Sequence, residues 1–323
     1  KSNILYGNKE IEIEIPEQWE VHIQHMAGWD KREFTFNEIR DRICNPLGCK
    51  RIAEDAKGCK SAAIIVDDLT RAISLQSASE IIVEELLAAG VPKNKIKFVI
   101  ATGMHRALPR IDYVKKIGEK LTREYPVFNH NPFFNCVRLG VTCNYTPVEV
   151  NAEVCASDYK VGIGSIVPHI GPGFSGGGKI ILPGVCSYNT INTFHSLFYR
   201  KGDGMGLGKV EGNAAHYDVK DAAKLAGLNF KADMVINESA QICEVFSGEP
   251  DIAHHEGIKF ARRHYMTEKI NDADVVLTNN YFKSTEPMLA LSNPVFSSLK
   301  ESGGDLIICN NTPEGGAVHY LFG

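Results

Sequence analysis

Three apolar runs, each closed by a polar loop motif, constrain most of what this chain can fold into. Residues 61–66 (SAAIIV), 96–101 (IKFVIA) and 159–163 (YKVGI) are continuous or nearly continuous in apolar character. That is the pattern of strands buried on both faces of a parallel sheet. Helical spacing over 77–89, with Ser77 or Ser79 as N-cap and Gly90 as stop, separates the first two runs. A helix over 109–123 and strand character near 126–129 follow the second. This alternation predicts an α/β fold with a parallel-sheet N-terminal domain. In such sheets the carboxyl ends of the strands share one side, where ligands bind. The motifs there are 67–71 (DDLTR), 101–106 (ATGMHR) and 168–184 (PHIGPGFSGGGKIILPG).

The remaining chain supplies further elements. Residues 10–15 (EIEIEI) alternate strictly and predict a half-buried strand. Helices are expected over 187–199, 217–226 (with Gly227 as C-cap) and 251–266, and a strand pair at 234–237 and 243–246. Strands at 273–277 and 305–309 around a helix over 286–300 form a second βαβ-like unit. A length of 323 residues exceeds one ordinary core. The expected boundary lies near 268, dividing an N-terminal catalytic and cofactor-binding α/β domain, 1–268, from a smaller α/β C-terminal domain, 269–323. One βαβ unit is thin for an independent domain, so the C-terminal domain is expected to be incomplete. No internal repeat, coiled-coil heptad or low-complexity tract is seen.

Composition narrows the function classes. The chain is 44% apolar and 23% charged, with a net charge of −4. That balance gives no reason to expect nucleic acid or an anionic membrane as a partner. No apolar run approaches the ~18 residues of a spanning helix, and the first residues have no signal-peptide core. Nine cysteines without a C-x-x-C pair point to reduced thiols in a cytoplasmic protein, and away from a disulfide framework or cysteine–zinc site.

The chemistry-bearing residues cluster at the three strand ends. The glycine run 176–178 lets backbone approach a ligand. Lys179, directly after it, can ion-pair with phosphate or bond covalently to a carbonyl-type group. His195, on the next helix, can act as base or metal ligand. Asp68, Arg71, His105, His169 and Lys179 are therefore expected to line one cleft. An Asp-Asp after a strand is often a cap and a lone histidine more often structural, so their joint placement is what favours function. Other glycine patterns fail as nucleotide fingerprints. Gly162-Ile163-Gly164 has Val167 at the third required site, Gly204-Met205-Gly206 has Lys209, and Lys179 is followed by Ile180, which excludes a P-loop. His254-His255 reads as surface or packing, Arg262-Arg263 as a solvated face and His130 as structural.

The order and spacing of DDLTR, ATGMHR, PHIGPGFSGGGKIILPG and the helix carrying His195 resemble the lactate racemase family over nearly the whole chain. That resemblance implies two α/β domains with the active site between them. It also implies a nickel-pincer nucleotide: a pyridinium mononucleotide with two thio-acid arms and a nickel ion, supplied by cofactor-synthesis enzymes. By motif position Lys179 bonds one arm covalently, His195 binds nickel, and Asp68, Leu69, Thr70 and Arg71 contact the cofactor. His105 and His169 match the acid/base pair. The implied reaction is racemisation or epimerisation of a small-molecule 2-hydroxy acid, by reversible hydride transfer through a 2-keto acid. The residue chemistry agrees. Histidine titrates near working pH, arginine suits a carboxylate or alkoxide, and imidazole suits nickel.

Two departures matter. Ala72-Ile73-Ser74 lacks the proline that commonly follows the arginine. The second domain lacks the Tyr-Gln pair and Lys that bind the substrate carboxylate in lactate enzymes. The matching stretch has Tyr281, Lys283, Pro287, Met288, Leu289 and Leu291, which implies a 2-hydroxy acid larger or less polar than lactate. The competing reading is a metal-dependent hydrolase with His105, His169 and His195 on one ion and Asp68 as base. It leaves Lys179 without a role. A third is a cofactor carrier without turnover, against which both acid/base histidines speak.

Overall fold

A computed structural model describes residues 2–6, 9–71, 73–279 and 297–309. The chain opens with a hairpin, β1 (Ser2–Tyr6) and β2 (Lys9–Ile13). Then come α1 (Phe36–Cys44), α2 (Ile52–Asp55), β3 (Ala62–Asp67), α3 (Gln76–Ala88) and β4 (Ile96–Ala101). Next are α4 (Arg110–Ile117), α5 (Glu119–Glu124), β5 (Val127–Asn129), β6 (Cys136–Val141), β7 (Pro147–Asn151), α6 (Ala152–Cys155) and β8 (Tyr159–Ser165). Two short strands follow, β9 (Pro168–His169) and β10 (Gly173–Phe174), then a 3₁₀ turn at Gly177–Ile180, α7 (Tyr188–His195), α8 (Leu197–Lys201) and α9 (Ala214–Ala226). The chain continues through β11 (Phe230–Ile236), β12 (Ile242–Gly248), α10 (Pro250–His264), β13 (Val275–Asn279) and β14 (Asp305–Cys309).

The central sheet has six strands in the order β12-β11-β8-β3-β4-β5. All neighbours are parallel except the edge pair β11–β12. From β3 the chain builds outward through β4 to β5, then returns to place β8 on the other side of β3. The order therefore reverses between β3 and β8, and in open α/β sheets ligands bind at such a switch point. Alternate residues of the central strands enter opposite cores. Ile64, Val66, Phe98 and Ile100 join α1, α3, α4 and α5 on one face. Ile65 and Val99 join α6, α7, α8 and α9 on the other. A small third core links Ile166 and Phe174 to Ile258 and Ala261 of α10.

Several expectations hold in detail: β4 spans 96–101, α9 ends at Gly227 in the left-handed region, and β11 and β12 pair. Others are corrected. The helix expected over 109–123 breaks into α4 and α5 at Gly118, whose φ of +84° leaves the helical region. The Gln76 side chain fills the place where a Cβ would stand there. The helix expected over 187–199 likewise divides into α7 and α8. Neither Ser77 nor Ser79 caps α3; Leu75 holds that position without a side-chain hydrogen bond. The β6–β7 hairpin has no counterpart in the sequence reading. β13 and β14 pair in parallel, as expected of the second βαβ unit, but most of the helix expected over 286–300 lies outside the described residues.

Candidate functional site

The site is built on the loops that leave β3, β4 and β8. Asp68 follows β3 and is buried. Its Oδ1 accepts from the Thr70 amide (3.1 Å) and hydroxyl (2.5 Å), closing the tight turn that aspartate favours. Its Oδ2 lies 2.5 Å from His105 Nδ1. Burial alone would raise the Asp68 carboxyl, but His105, Thr70 and Arg71 together hold it at about 2. The Arg71 guanidinium donates to the Thr70 carbonyl at 3.1 Å. Leu69 packs its side chain against the main core. Ala72 lies outside the described residues.

His105 ends the turn after β4. Its amide donates to Thr102 (2.8 Å), and the Gly103 amide donates to the Gly184 carbonyl (2.9 Å). That bond ties this loop to the end of the glycine-rich segment. His105 retains 30% of its side-chain exposure. The Asp68 carboxylate at Nδ1 orients the imidazole and sets its tautomer.

The segment after β8 folds back as the β9–β10 hairpin, with His169 opposite Gly173. His169 Nδ1 accepts from the Gly171 amide at 3.0 Å. The glycine run is closely packed by two helices. A Cβ at Gly177 would lie 2.3 Å from His254 Nδ1, and one at Gly178 would lie 2.5 Å from the Val219 carbonyl oxygen. These two glycines admit α10 and α9. The Gly177 amide also donates to Asp233 at 2.7 Å, and Asp233 forms a fully buried ion pair with Lys231. Gly162 makes room for the Lys231 stem in the same way. Lys179 leaves the 3₁₀ turn partly exposed.

His195 is the last residue of α7. Its Nδ1 lies 2.7 Å from the Ile191 carbonyl. A carbonyl only accepts, so Nδ1 carries the proton and Nε2 the lone pair. Phe198 stacks on the ring at 6.3 Å and Phe194 meets it edge-on at 5.3 Å. Burial lowers its pKa to about 4, and the charges of Lys179 and His105 push the same way. His195 is thus neutral near pH 7 and within electrostatic reach of both residues. A Cβ on Gly171 would touch Phe198, which links the His169 turn to the same group. Asp68, Thr70, Arg71 and His105 are in direct contact or adjacent, and Lys179 and His195 join them across the switch point.

Other polar residues have structural roles. His130 is buried between the Cys186 carbonyl (2.7 Å) and Asn151 (3.2 Å), and burial lowers its pKa to about 4. His254 is packing, bonded to the Ser175 carbonyl at 2.9 Å and stacked on His216. Arg262 forms an exposed ion pair with Glu211. Lys116, Lys231 and Asp233 support the site loops, yet nothing in their sequence context marks them; each reads as an ordinary polar position. Among the described residues no group of three or more His, Cys, Asp or Glu could hold a metal ion, so the three-histidine hydrolase has no such centre there. No described helix is long and apolar enough to cross a membrane, and all nine cysteines are free thiols.

A family model, the lactate racemase N-terminal domain, matches residues 6–206. The chain belongs to this family. It is 31% identical over 281 residues to a lactate racemase of Thermoanaerobacterium thermosaccharolyticum, covering 86% of this chain and 66% of that protein. It is 29% identical over 244 residues to a lactate racemase of Lactiplantibacillus plantarum, covering 75% and 57%. The chain thus spans less than two thirds of the second relative's length and about two thirds of the first's. The lactate racemase apoprotein structure from T. thermosaccharolyticum superposes with a TM-score of 0.80 at 27% identity, over 97% of this chain and 75% of that one. A Thermotoga maritima protein shares the fold, with a TM-score of 0.69 at 19% identity, over 85% and 71%.

Proposed function

We propose that this lactate racemase family member is a racemase or epimerase of a 2-hydroxy acid that works with a nickel-pincer nucleotide. The observation that carries the reading is the meeting of an Asp68–His105 pair with a neutral His195 beside Lys179 at the sheet's switch point. The donor set fits the cofactor. The His195 Nδ1–H is fixed by a backbone carbonyl, which leaves Nε2 as the kind of oriented lone pair that metal-binding histidines present and nickel accepts. Lys179, partly exposed, is suited to covalent attachment. When bound, the group supplies a reversible acceptor for the C2 hydrogen of the substrate, so that inversion passes through the 2-keto acid.

The chain's own residues handle protons and charge. His105, with Nδ1 engaged by Asp68, takes the hydroxyl proton of one enantiomer at Nε2, and His169 serves the other. Arg71 holds the carboxylate or the developing alkoxide. Leu69 and Thr70 complete the cofactor-facing turn with Asp68. We place the domain boundary near residue 268 and the catalytic cleft between the two domains. The partners are the small-molecule substrate and the cofactor-synthesis enzymes, and the setting is cytoplasmic. The carboxylate-pocket stretch 281–292 lies outside the described residues, so the preference for a bulkier acid rests on sequence alone.

The test is co-expression with the cofactor-synthesis enzymes, followed by intact-mass and nickel analysis and a racemisation panel of 2-hydroxy acids. A covalent adduct lost in Lys179→Ala, nickel lost in His195→Ala, and racemisation of at least one acid are expected. Unchanged adduct mass in the Lys179 variant would sink the assignment.

A further inference from the structure

Lys116 has no place in the mechanism above, yet it is fully buried at the end of α4. An ammonium taken out of water is costly unless its donors and its charge are both satisfied. Here they are, by two different sets of groups. Its three N–H donors meet three backbone carbonyls of the loop after β3: Asp68 at 3.0 Å, Arg71 at 3.0 Å and Ile73 at 3.2 Å. Its charge is balanced by the Asp67 carboxylate, whose Oδ1 lies 2.5 Å from the ammonium nitrogen. The Lys116 carbonyl in turn accepts from the Leu75 amide at 2.7 Å, so α4 grips the loop from both ends.

We propose that Lys116 is a positioning residue: it gathers the Asp68, Arg71 and Ile73 carbonyls into one turn, and so aims the Asp68 carboxylate at His105 and presents Arg71 to the cleft. A plain ion pair between α4 and β3 would need only Asp67. A single point contacted by three carbonyls spread over six residues instead sets the curvature of the loop. The Thr70, Arg71 and Ile73 amides all bond within that loop, so their protection reports its closure. The catalytic consequence rests on the proposed racemase reading; the loop geometry does not.

The experiment uses the full chain without cofactor, so its outcome is independent of whether any acid is racemised. Lys116→Met, Asp67→Asn and the double variant are compared by thermal midpoint, amide exchange of Thr70, Arg71 and Ile73, and NMR titration of the Asp68 carboxyl. Lys116→Met strands the Asp67 charge and lowers the midpoint. The double variant removes both charges and recovers much of it. In both, exchange of the three amides is expected to be roughly tenfold faster or more, and the Asp68 midpoint to rise from about 2 towards its ordinary 3.8. Asp67→Asn alone strands the Lys116 charge and lowers the midpoint as well, but it keeps all three carbonyl bonds, so its loop amides should exchange relative to global opening as in the parent and its Asp68 midpoint should not rise. That variant decides the matter if the Lys116 variants do not fold. Parent-like loop exchange and Asp68 titration in the double variant, or loop release in Asp67→Asn, would overturn the proposal.

Discussion

Asp68 joins two parts of the candidate site through one side chain. Its two oxygens are divided: Oδ1 closes the turn with Thr70 and Oδ2 holds His105. Asp68→Asn should keep the turn but lose the charge that fixes the imidazole. We expect racemisation to fall by roughly 10²–10⁴ in both directions with little change in KM. The same variant bears on stability. Because the folded carboxyl titrates at about 2, below its ordinary 3.8, its contribution is present above the ordinary value and is lost as pH falls towards 2. The Asn variant should lack that acid-limb loss, which thermal melts between about pH 4 and 2 would reveal. His130 acts in a higher window. Burial lowers it from 6.5 to about 4, so as pH falls below 6.5 the unfolded chain takes up the proton first and stability declines down to about 4. His130→Gln, which can still donate to the Cys186 carbonyl, should flatten that slope. The flattening is partial, since His195 and His216 are lowered in the same way.

At the scale of elements, the 3₁₀ turn carrying Lys179 is seated by contacts that no ligand supplies. Gly178 faces the Val219 carbonyl of α9, a backbone atom that cannot swing aside. Gly178→Ala should therefore cost about 1–3 kcal/mol as the turn is pushed off the helix, and should shift Lys179 with it. Gly202→Ala is the control: its φ of −67° is helical and no atom lies within 4 Å of the added carbon. It should leave the melting temperature nearly unchanged. The glycines were visible in the sequence as a run, but their partners were not. His254 and Val219 are distant in the chain, and nothing local to residues 176–178 distinguishes room for a ligand from room for a helix. The same limit hid the break at Gly118, since the apolar spacing over 109–123 continues straight through it. It was the side chain of Gln76, from another helix, that occupied the space.

For the molecule as a whole, the strand order decides which loops meet. Reversal between β3 and β8 brings DDLTR beside the glycine-rich segment, with ATGMHR flanking DDLTR from β4 on the other side and tied to the glycine-rich segment by the Gly103–Gly184 hydrogen bond. If the pocket stretch 281–292 is as apolar in effect as in sequence, a bulkier 2-hydroxy acid should exceed lactate in kcat/KM. Each missing charge-assisted bond to a small carboxylate costs ~1.5–3 kcal/mol, and Lys283 is the cation that would reverse this outcome. A clear preference for lactate across the panel would refute it.

The sequence by itself determined the α/β class and the strand-end position of the three motifs, and it singled out the residues proposed to carry the chemistry. These depend on periodicity and on neighbours a few positions apart, which the chain states directly. Only the tertiary structure decided that Asp68 pairs with His105, that His195 is held neutral beside Lys179, that the glycine run admits helices, and that Lys116 and Lys231 lie buried beneath the site loops. Each of these depends on groups far apart in sequence brought together by strand order, and on the low-dielectric surroundings that burial creates. A lysine at the end of a helix looks the same in sequence whether water or three carbonyls await it.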